Sequence, residues 1–352
     1  MNVLMGIPNW RMLIKENAAA RLMHAGFHLV VNGSNAVADR AFLEENIACA
    51  DAMIAGGERI DSALLSRAER LRVIARYGVG TDNIDIECAT RMGIYVTSTM
   101  GANANAVAEH ALALMLAVQR RIGYYDRAVR QGSWTSGEFP ELSGKCVGLI
   151  GFGHIGRLVA RRLSGFEVRL LVCDPYQSGE IIRAGGGRPC TLEELLGQSD
   201  IVSLHLPATK ENEHLIDARR LAGMKRGAFL INTSRGALVD EQALREALLT
   251  GQIAGAGLDV LRQEPMRPDH PLFRLDNVLV TPHVAGGSYE NHRKAGEMCV
   301  QAVLDGLAGI RPVNAVNRPD RERSISVSYT HLDVYKRQVW RKRRAVHQCG
   351  SV

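Results

Sequence analysis

Short apolar runs alternate along this chain with stretches whose apolar positions recur at helical spacing. NVLMGI, FHLVVNG, DAMIAGG and LRVIARYGVG, all within the first 80 residues, predict strands. The segments Trp10 to Met23 and Asp61 to Arg70 predict helices between them. Strands alternating with helices imply a parallel sheet. GIYVTS (93–98) is a further strand, and the Ala-, Leu- and Met-rich stretch from about Asn103 to Arg121 predicts a long helix. Between Tyr124 and Leu142 the period is lost at Gly132, Ser133, Gly137 and Pro140, which predicts a connecting arm.

A second alternating series follows. KCVGLIGFG, EVRLLVCD, DIVSLHLP, AFLINTS, AGAGLDV and NVLVTPH predict strands, with helices between most of them. A last helix is expected from Tyr289 to about Ala308, and RPVNAVN closes the organised part. Two βα series predict an α/β protein of two Rossmann-like lobes with the active site in the cleft between them. Residues 1–99 with 287–318 form one lobe and 100–286 the other.

Composition narrows the function classes. The chain has 352 residues, 46% apolar and 23% charged, an ordinary globular balance. No apolar run is long enough to span a bilayer, and the N-terminus lacks the pattern of a signal peptide. Seven cysteines are scattered without a CxxC pair, which predicts reduced thiols, no metal site and a cytoplasmic setting. The net charge of +6 is concentrated in the tail, where Pro319 to Val352 hold eight Lys/Arg against three Asp/Glu. The body is nearly neutral, so the global charge does not argue for nucleic acid or a membrane. Residues 319–352 are expected to form a disordered basic tail. Within it VSYTHLDVYKRQ resembles translated cloning or adapter sequence, so residues from about Ser324 are read as foreign to the native chain.

Chemistry enters at GLIGFGHIG (148–156), which places Gly151, Gly153 and Gly156 as G-x-G-x-x-G. The pattern is weak alone. Here it follows an apolar strand, opens a helix, and is answered by Asp174 at the end of the next strand, 18 residues beyond Gly156. The three glycines permit a tight turn, backbone approach to a pyrophosphate, and close helix–strand packing. The helix N-terminus offers free N–H groups to the phosphates. A carboxylate at Asp174 accepts ribose hydroxyls and repels a 2′-phosphate, so NAD is expected over NADP.

Three later features end apolar runs in the same way: Arg235 after FLINTS, Glu264 in LDVLRQEP and His283 in VLVTPH. In an open α/β sheet the carboxyl ends of strands face the ligand crevice, so the three could converge. Arginine binds a carboxylate in a two-pronged fork and polarises a neighbouring carbonyl. Histidine exchanges a proton near neutral pH, and a glutamate beside it fixes its orientation. Taken singly, each has a bland reading as a cap, a turn residue or a solvated charge. Their combination with a dinucleotide fingerprint points to hydride transfer.

The chain resembles the D-isomer-specific 2-hydroxyacid dehydrogenase family, in the pattern of its phosphoglycerate dehydrogenase and hydroxypyruvate/glyoxylate reductase members. RYGVGTDNID, NANAVAEH, GLIGFGHIG, VCDPY, SLHLPAT, LINTSRGALVDEQAL, GAGLDVLRQEP, HPLFRLDNVLVTPHVAG and RPVNAVN carry the likeness from Arg76 to Asn317. The resemblance implies a flavodoxin-like substrate lobe, an NAD-binding Rossmann lobe, and a D-2-hydroxy acid or 2-keto acid substrate. It implies Arg235 as carboxylate and carbonyl ligand, His283 as acid/base and Glu264 as its partner. The backbone of Val79 and Gly80 would hold the substrate carboxylate, and Arg76 is a candidate for a substrate phosphate. Backbone N–H groups of His154 and Ile155 would meet the pyrophosphate. Pro207 would lie beside the adenosine, with Thr233 and Asp259 on the nicotinamide side. A homodimer through about 103–145 is also implied. Where relatives often show Asn-Thr-Pro-Gly, this chain reads Thr97-Ser98-Thr99-Met100-Gly101, which leaves the substrate open. The family also includes corepressors, so a non-catalytic NAD(H)-binding interaction protein stands as the alternative.

Overall fold

The computed structural model describes residues 1–7, 18–32 and 39–320. Most of the helix expected from Trp10 to Met23, and the whole segment from residue 321 with its foreign-tail reading, lie outside those residues. The chain divides into two compact units, Met1–Asn103 with residues from Ser288 onward, and Ala104–Gly287.

The first unit is built on strands β1 (Asn2–Met5), β2 (His28–Val31), β3 (Ala52–Ala55), β4 (Val73–Arg76) and β5 (Tyr95–Ser98). They form a parallel sheet in the order β2-β1-β3-β4-β5, the flavodoxin-like arrangement. Strands buried on both faces need apolar residues at every position, not every second one. Accordingly Val3, Met5, Ile54 and Val73 join one core, and Leu4, Met53, Ile74 and Val96 the other. The helix Tyr289–Leu307 covers the first of these faces with Cys299, Val300, Val303 and Leu304. The segment after it returns to β5: the Asn317 amide oxygen accepts from the Val96 N–H at 2.8 Å, and its nitrogen donates to the Ile94 carbonyl at 2.9 Å.

The second unit holds β6 (Cys146–Ile150), β7 (Arg169–Cys173), β8 (Arg188–Pro189), β9 (Ile201–Leu204), β10 (Ala228–Asn232), β11 (Ile253–Leu258) and β12 (Val278–Val280). Its parallel sheet runs β12-β11-β10-β9-β6-β7-β8, so the strand order reverses between β6 and β9. That is the switch point at which doubly wound sheets bind dinucleotides. The helix Ala104–Gln119 lies tightly on β11. A Cβ on Gly257 would stand 3.0 Å from that of Leu114, and one on Gly255 would stand 2.9 Å from Val118 Cγ2.

The local pattern misleads at several places. The segment Asp61 to Arg70 contains only a four-residue helix, Ser62–Leu65, whose N-terminus Asp61 caps by accepting from the Leu64 N–H at 3.0 Å. The long helix breaks at Arg121, which takes the left-handed conformation. The expected arm then begins with a second helix, Ile122–Arg130, none of whose residues is buried. Its apolar residues Ile122, Tyr125 and Val129 recur at helical spacing, but the stretch is short and runs straight into Gly132, Ser133, Gly137 and Pro140. The short edge strand β8 likewise has no counterpart among the expected strands.

Candidate active site

Strand β10 ends at Asn232, whose side chain shapes the loop beyond it. Its amide oxygen accepts from the Ser234 N–H at 3.0 Å, and its nitrogen donates to the Arg235 carbonyl at 2.8 Å. Ser234 Oγ donates to the Leu204 carbonyl at 2.7 Å, tying the loop to β9. The polar run after LI is therefore largely internal scaffolding. Thr233 is the exception, a buried residue whose hydroxyl has no partner among the described residues. Arg235 is partly buried, and its Nη1 donates to the Ser234 carbonyl at 2.7 Å.

Gly236 brings a second loop alongside. A Cβ there would lie 2.0 Å from the Leu261 carbonyl carbon and 2.3 Å from the Arg262 nitrogen. The glycine thus serves close backbone approach between the loops that follow β10 and β11. The second of these carries Glu264, whose Oε1 accepts from the Leu261 N–H at 3.0 Å.

His283 follows β12 with φ of 53°, a conformation few non-glycine residues adopt. Its N–H donates to the Asp259 carbonyl at 2.8 Å and to the Thr281 carbonyl at 3.0 Å. Its Nδ1 meets Glu264 Oε2 at 2.6 Å, so all three strand-end loops come together. Burial pushes the Glu264 carboxyl upward. The hydrogen bonds from His283 and Leu261, with the charges of His283 and Arg235, outweigh that and hold it below the ordinary value. An ionised carboxylate can only accept, so Nδ1 carries the proton and Nε2 is left as the exchangeable site.

Asp259 is the buried anchor of this region. Its Oδ1 accepts from Thr281 Oγ1 at 2.6 Å and the Val284 N–H at 2.9 Å, and its Oδ2 from the Ala285 N–H at 2.9 Å. The carboxylate expected on the nicotinamide side is thus engaged with the backbone around His283.

The dinucleotide turn fits NAD on its own geometry. Gly151 has φ of 94°, and a Cβ on it would lie 2.4 Å from the His205 carbonyl oxygen. A Cβ on Gly156 would lie 2.3 Å from the Gly151 carbonyl, while Gly153 faces open space. The helix His154–Leu163 starts there without a side-chain cap, leaving the first N–H groups at His154 and Ile155 for an anion. Asp174 accepts from the Phe152 N–H at 2.7 Å and the Tyr176 N–H at 2.8 Å, which fixes its carboxylate beside the turn. Pro207 is exposed in the loop after β9, its carbonyl accepting from the Asn212 amide at 2.8 Å.

In the first unit, the loop after β4 is held from behind. Arg76 donates to the Tyr77 carbonyl at 2.6 Å and the Gly80 carbonyl at 2.9 Å. Ser98 Oγ donates to the Val79 carbonyl at 2.8 Å, and the Thr99 N–H to the Gly78 carbonyl at 3.0 Å. Among the described residues the N–H groups of Val79 and Gly80 make no hydrogen bond. Arg76, considered above for a substrate phosphate, acts here as a brace. Ser98, one of the departures from the common family pattern, is the second brace.

Comparison with known proteins identifies the family. Residues 112–285 match the model of the D-isomer specific 2-hydroxyacid dehydrogenase NAD binding domain. A glyoxylate reductase of Korarchaeum cryptofilum is 43% identical over 265 residues, 74% of this chain and 80% of that protein. A D-3-phosphoglycerate dehydrogenase of Archaeoglobus fulgidus is 41% identical over 268 residues, but this chain spans only 51% of its length. The crystal structure of the TT0316 protein from Thermus thermophilus shares 38% identity with a TM-score of 0.83, covering 90% of this chain and 100% of that one. The chain belongs to the D-isomer-specific 2-hydroxyacid dehydrogenase family and is an NAD-dependent oxidoreductase.

Proposed function

We propose that this enzyme interconverts a small 2-keto acid and its D-2-hydroxy acid, with glyoxylate or hydroxypyruvate as the substrate type. The observation that carries the reading is the Glu264–His283 pair, with Nε2 left to exchange a proton and the Arg235 charge acting on the same carboxylate. Bound NAD supplies the hydride acceptor and, reduced, the hydride donor. In keto-acid reduction, His283 Nε2–H gives its proton to the oxygen at C2, and Glu264 stabilises the imidazolium before that step. Arg235 binds the substrate carboxylate and polarises the carbonyl. In the first unit, the N–H groups of Val79 and Gly80, which make no hydrogen bond among the described residues, suit an anion such as a carboxylate.

For the cofactor, Gly151, Gly153, Gly156, His154 and Ile155 receive the pyrophosphate. Asp174 takes the ribose hydroxyls, and Pro207 lies at the adenosine. Thr233, with its orphaned hydroxyl, lies on the nicotinamide side, and Asp259 holds the loop that carries His283. An unphosphorylated substrate is favoured because Arg76 is engaged with backbone carbonyls and the glyoxylate reductase match spans most of that relative.

We also propose a cytoplasmic homodimer. The exposed helix Ile122–Arg130 and the segment after it present Ile122, Val129 and Trp134 to solvent, which suits a covered face. Sedimentation at micromolar concentration should give twice the chain mass, and a monomer there removes this part of the reading.

NADH oxidation measured with glyoxylate, hydroxypyruvate, 3-phosphohydroxypyruvate and pyruvate tests the substrate assignment. Turnover should be greatest with one of the first two. Preference for the phosphorylated acid would overturn the substrate assignment. No turnover with any of them, alongside intact NADH binding, would favour the non-catalytic interaction protein.

A further inference from the structure

NANAVAEH contributes two titratable side chains: Glu109, which pairs with Arg162 at 2.8 Å, and His110, which has no role in the proposed chemistry. The position of His110 follows from two periodicities. On a strand, residues two apart share a face, so Asp259 follows Gly255 and Gly257 on the side that meets the helix Ala104–Gln119. On the helix, residues four apart share a face, which sets His110 in line with Leu114 and Val118. Val118 lies against Gly255 and Leu114 against Gly257. The next step of the same register sets His110 at the level of Asp259.

The contacts agree. His110 Nε2 is 2.9 Å from Thr281 Oγ1 and 3.5 Å from Asp259 Oδ1. Thr281 has one hydroxyl proton, and at 2.6 Å it goes to the Asp259 carboxylate, which can only accept. The Thr281 oxygen is then the acceptor toward His110, and Nε2 must carry a proton. The chain of donors is directional: His110 Nε2–H to Thr281 Oγ, Thr281 Oγ–H to Asp259. Asp259 completes it by accepting from the N–H groups of Val284 and Ala285, the residues directly after His283. Its backbone carbonyl accepts from His283 N–H.

We propose that His110 is a positioning residue for the acid/base. Through Thr281 and Asp259 it fixes the left-handed backbone at His283, and with it the direction in which Nε2 points. It touches neither substrate nor cofactor in this role. The helix that opens the second unit is thereby connected to the proton-transfer step. The proposal rests on the assignment of His283 as the acid/base.

The test uses the full-length enzyme with glyoxylate or hydroxypyruvate and NADH. His110→Leu keeps the apolar packing and removes the donor, whereas His110→Gln keeps an N–H donor at similar reach. Kcat should fall roughly tenfold to hundredfold in His110→Leu, as expected when a reacting group is displaced by up to about 1 Å. The keto-acid KM and the NADH Kd should stay within about twofold of wild type, and His110→Gln should recover most of the loss. Thr281→Val, which breaks the same chain one link on, should resemble His110→Leu. It provides the reading if either histidine variant fails to fold. Equal kcat for the leucine and glutamine variants, or wild-type kcat in Thr281→Val, would overturn the proposal. His283→Ala, assayed alongside, separates the two layers. If it is inactive while His110→Leu matches wild type, only the positioning role fails. If it keeps wild-type turnover, the acid/base assignment itself is wrong.

Discussion

His283 combines an uncommon backbone conformation with a fixed ring orientation, and both come from its neighbours. His283→Ala should lower kcat by roughly 100- to 10,000-fold with a smaller effect on keto-acid KM, the usual range for loss of a general acid/base. Arg235→Ala should raise that KM tenfold or more, since a charge-assisted pair to a carboxylate is worth about 1.5–3 kcal/mol. Steady-state kinetics on the two variants checks both, and wild-type constants in either would remove that residue from the proposed mechanism. Asp174→Ala should narrow the preference for NADH over NADPH, because it removes a carboxylate that repels a 2′-phosphate. Unchanged discrimination in a direct comparison of kcat/KM would assign selectivity elsewhere.

The proposed roles of Arg235, Glu264 and His283 can be read in the sequence because each follows an apolar run and a dinucleotide fingerprint lies upstream; singly, each has an ordinary structural reading. The roles of Asn232, Ser234 and His110 are not legible there. Their partners are backbone groups or residues far along the chain, and no local pattern encodes such contacts.

At the level of elements, the glycines decide how closely loops and helices approach. Gly236 sets the contact between the Arg235 and Leu261 loops. Gly236→Ala would force those backbones apart, at a cost of about 1–3 kcal/mol for an overpacked contact. Because the two loops carry Arg235 and Glu264, activity should fall further than stability. Urea denaturation and kcat/KM measured on the same preparation test this, and a fully active variant would show that the approach is dispensable.

The strand pattern is readable for all the described strands but β8, because buried parallel strands are nearly continuous apolar runs. The helix Ile122–Arg130 escapes because its nine residues carry only about two turns of apolar period before the glycines that follow. The two-residue strand β8 is too short to carry any period.

For the molecule as a whole, acid tolerance should be limited by a residue outside the proposed chemistry. His205 lies buried behind the dinucleotide turn, and burial pushes its pKa down to about 4. Between that value and the unfolded value near 6.5, the unfolded chain binds a proton that the native state does not. Its stabilising contribution is therefore complete above about pH 6.5 and is lost as the pH falls toward 4. The loss should total on the order of 3 kcal/mol. His205→Asn should flatten the dependence of the urea midpoint on pH across that window. An unchanged slope would place the acid sensitivity in other groups.

The return of the chain to β5 after residue 310 also bears on synthesis. Emerging from the ribosome, the first hundred residues cannot complete their sheet's covering, because the helix Tyr289–Leu307 and the Asn317 clasp have yet to be translated. The intervening 104–287 unit has all of its own strands by then. The order of birth is thus inverted: the part begun first is finished last. Until then, apolar positions such as Val3, Ile54 and Val73 are exposed to chaperones and to other nascent chains.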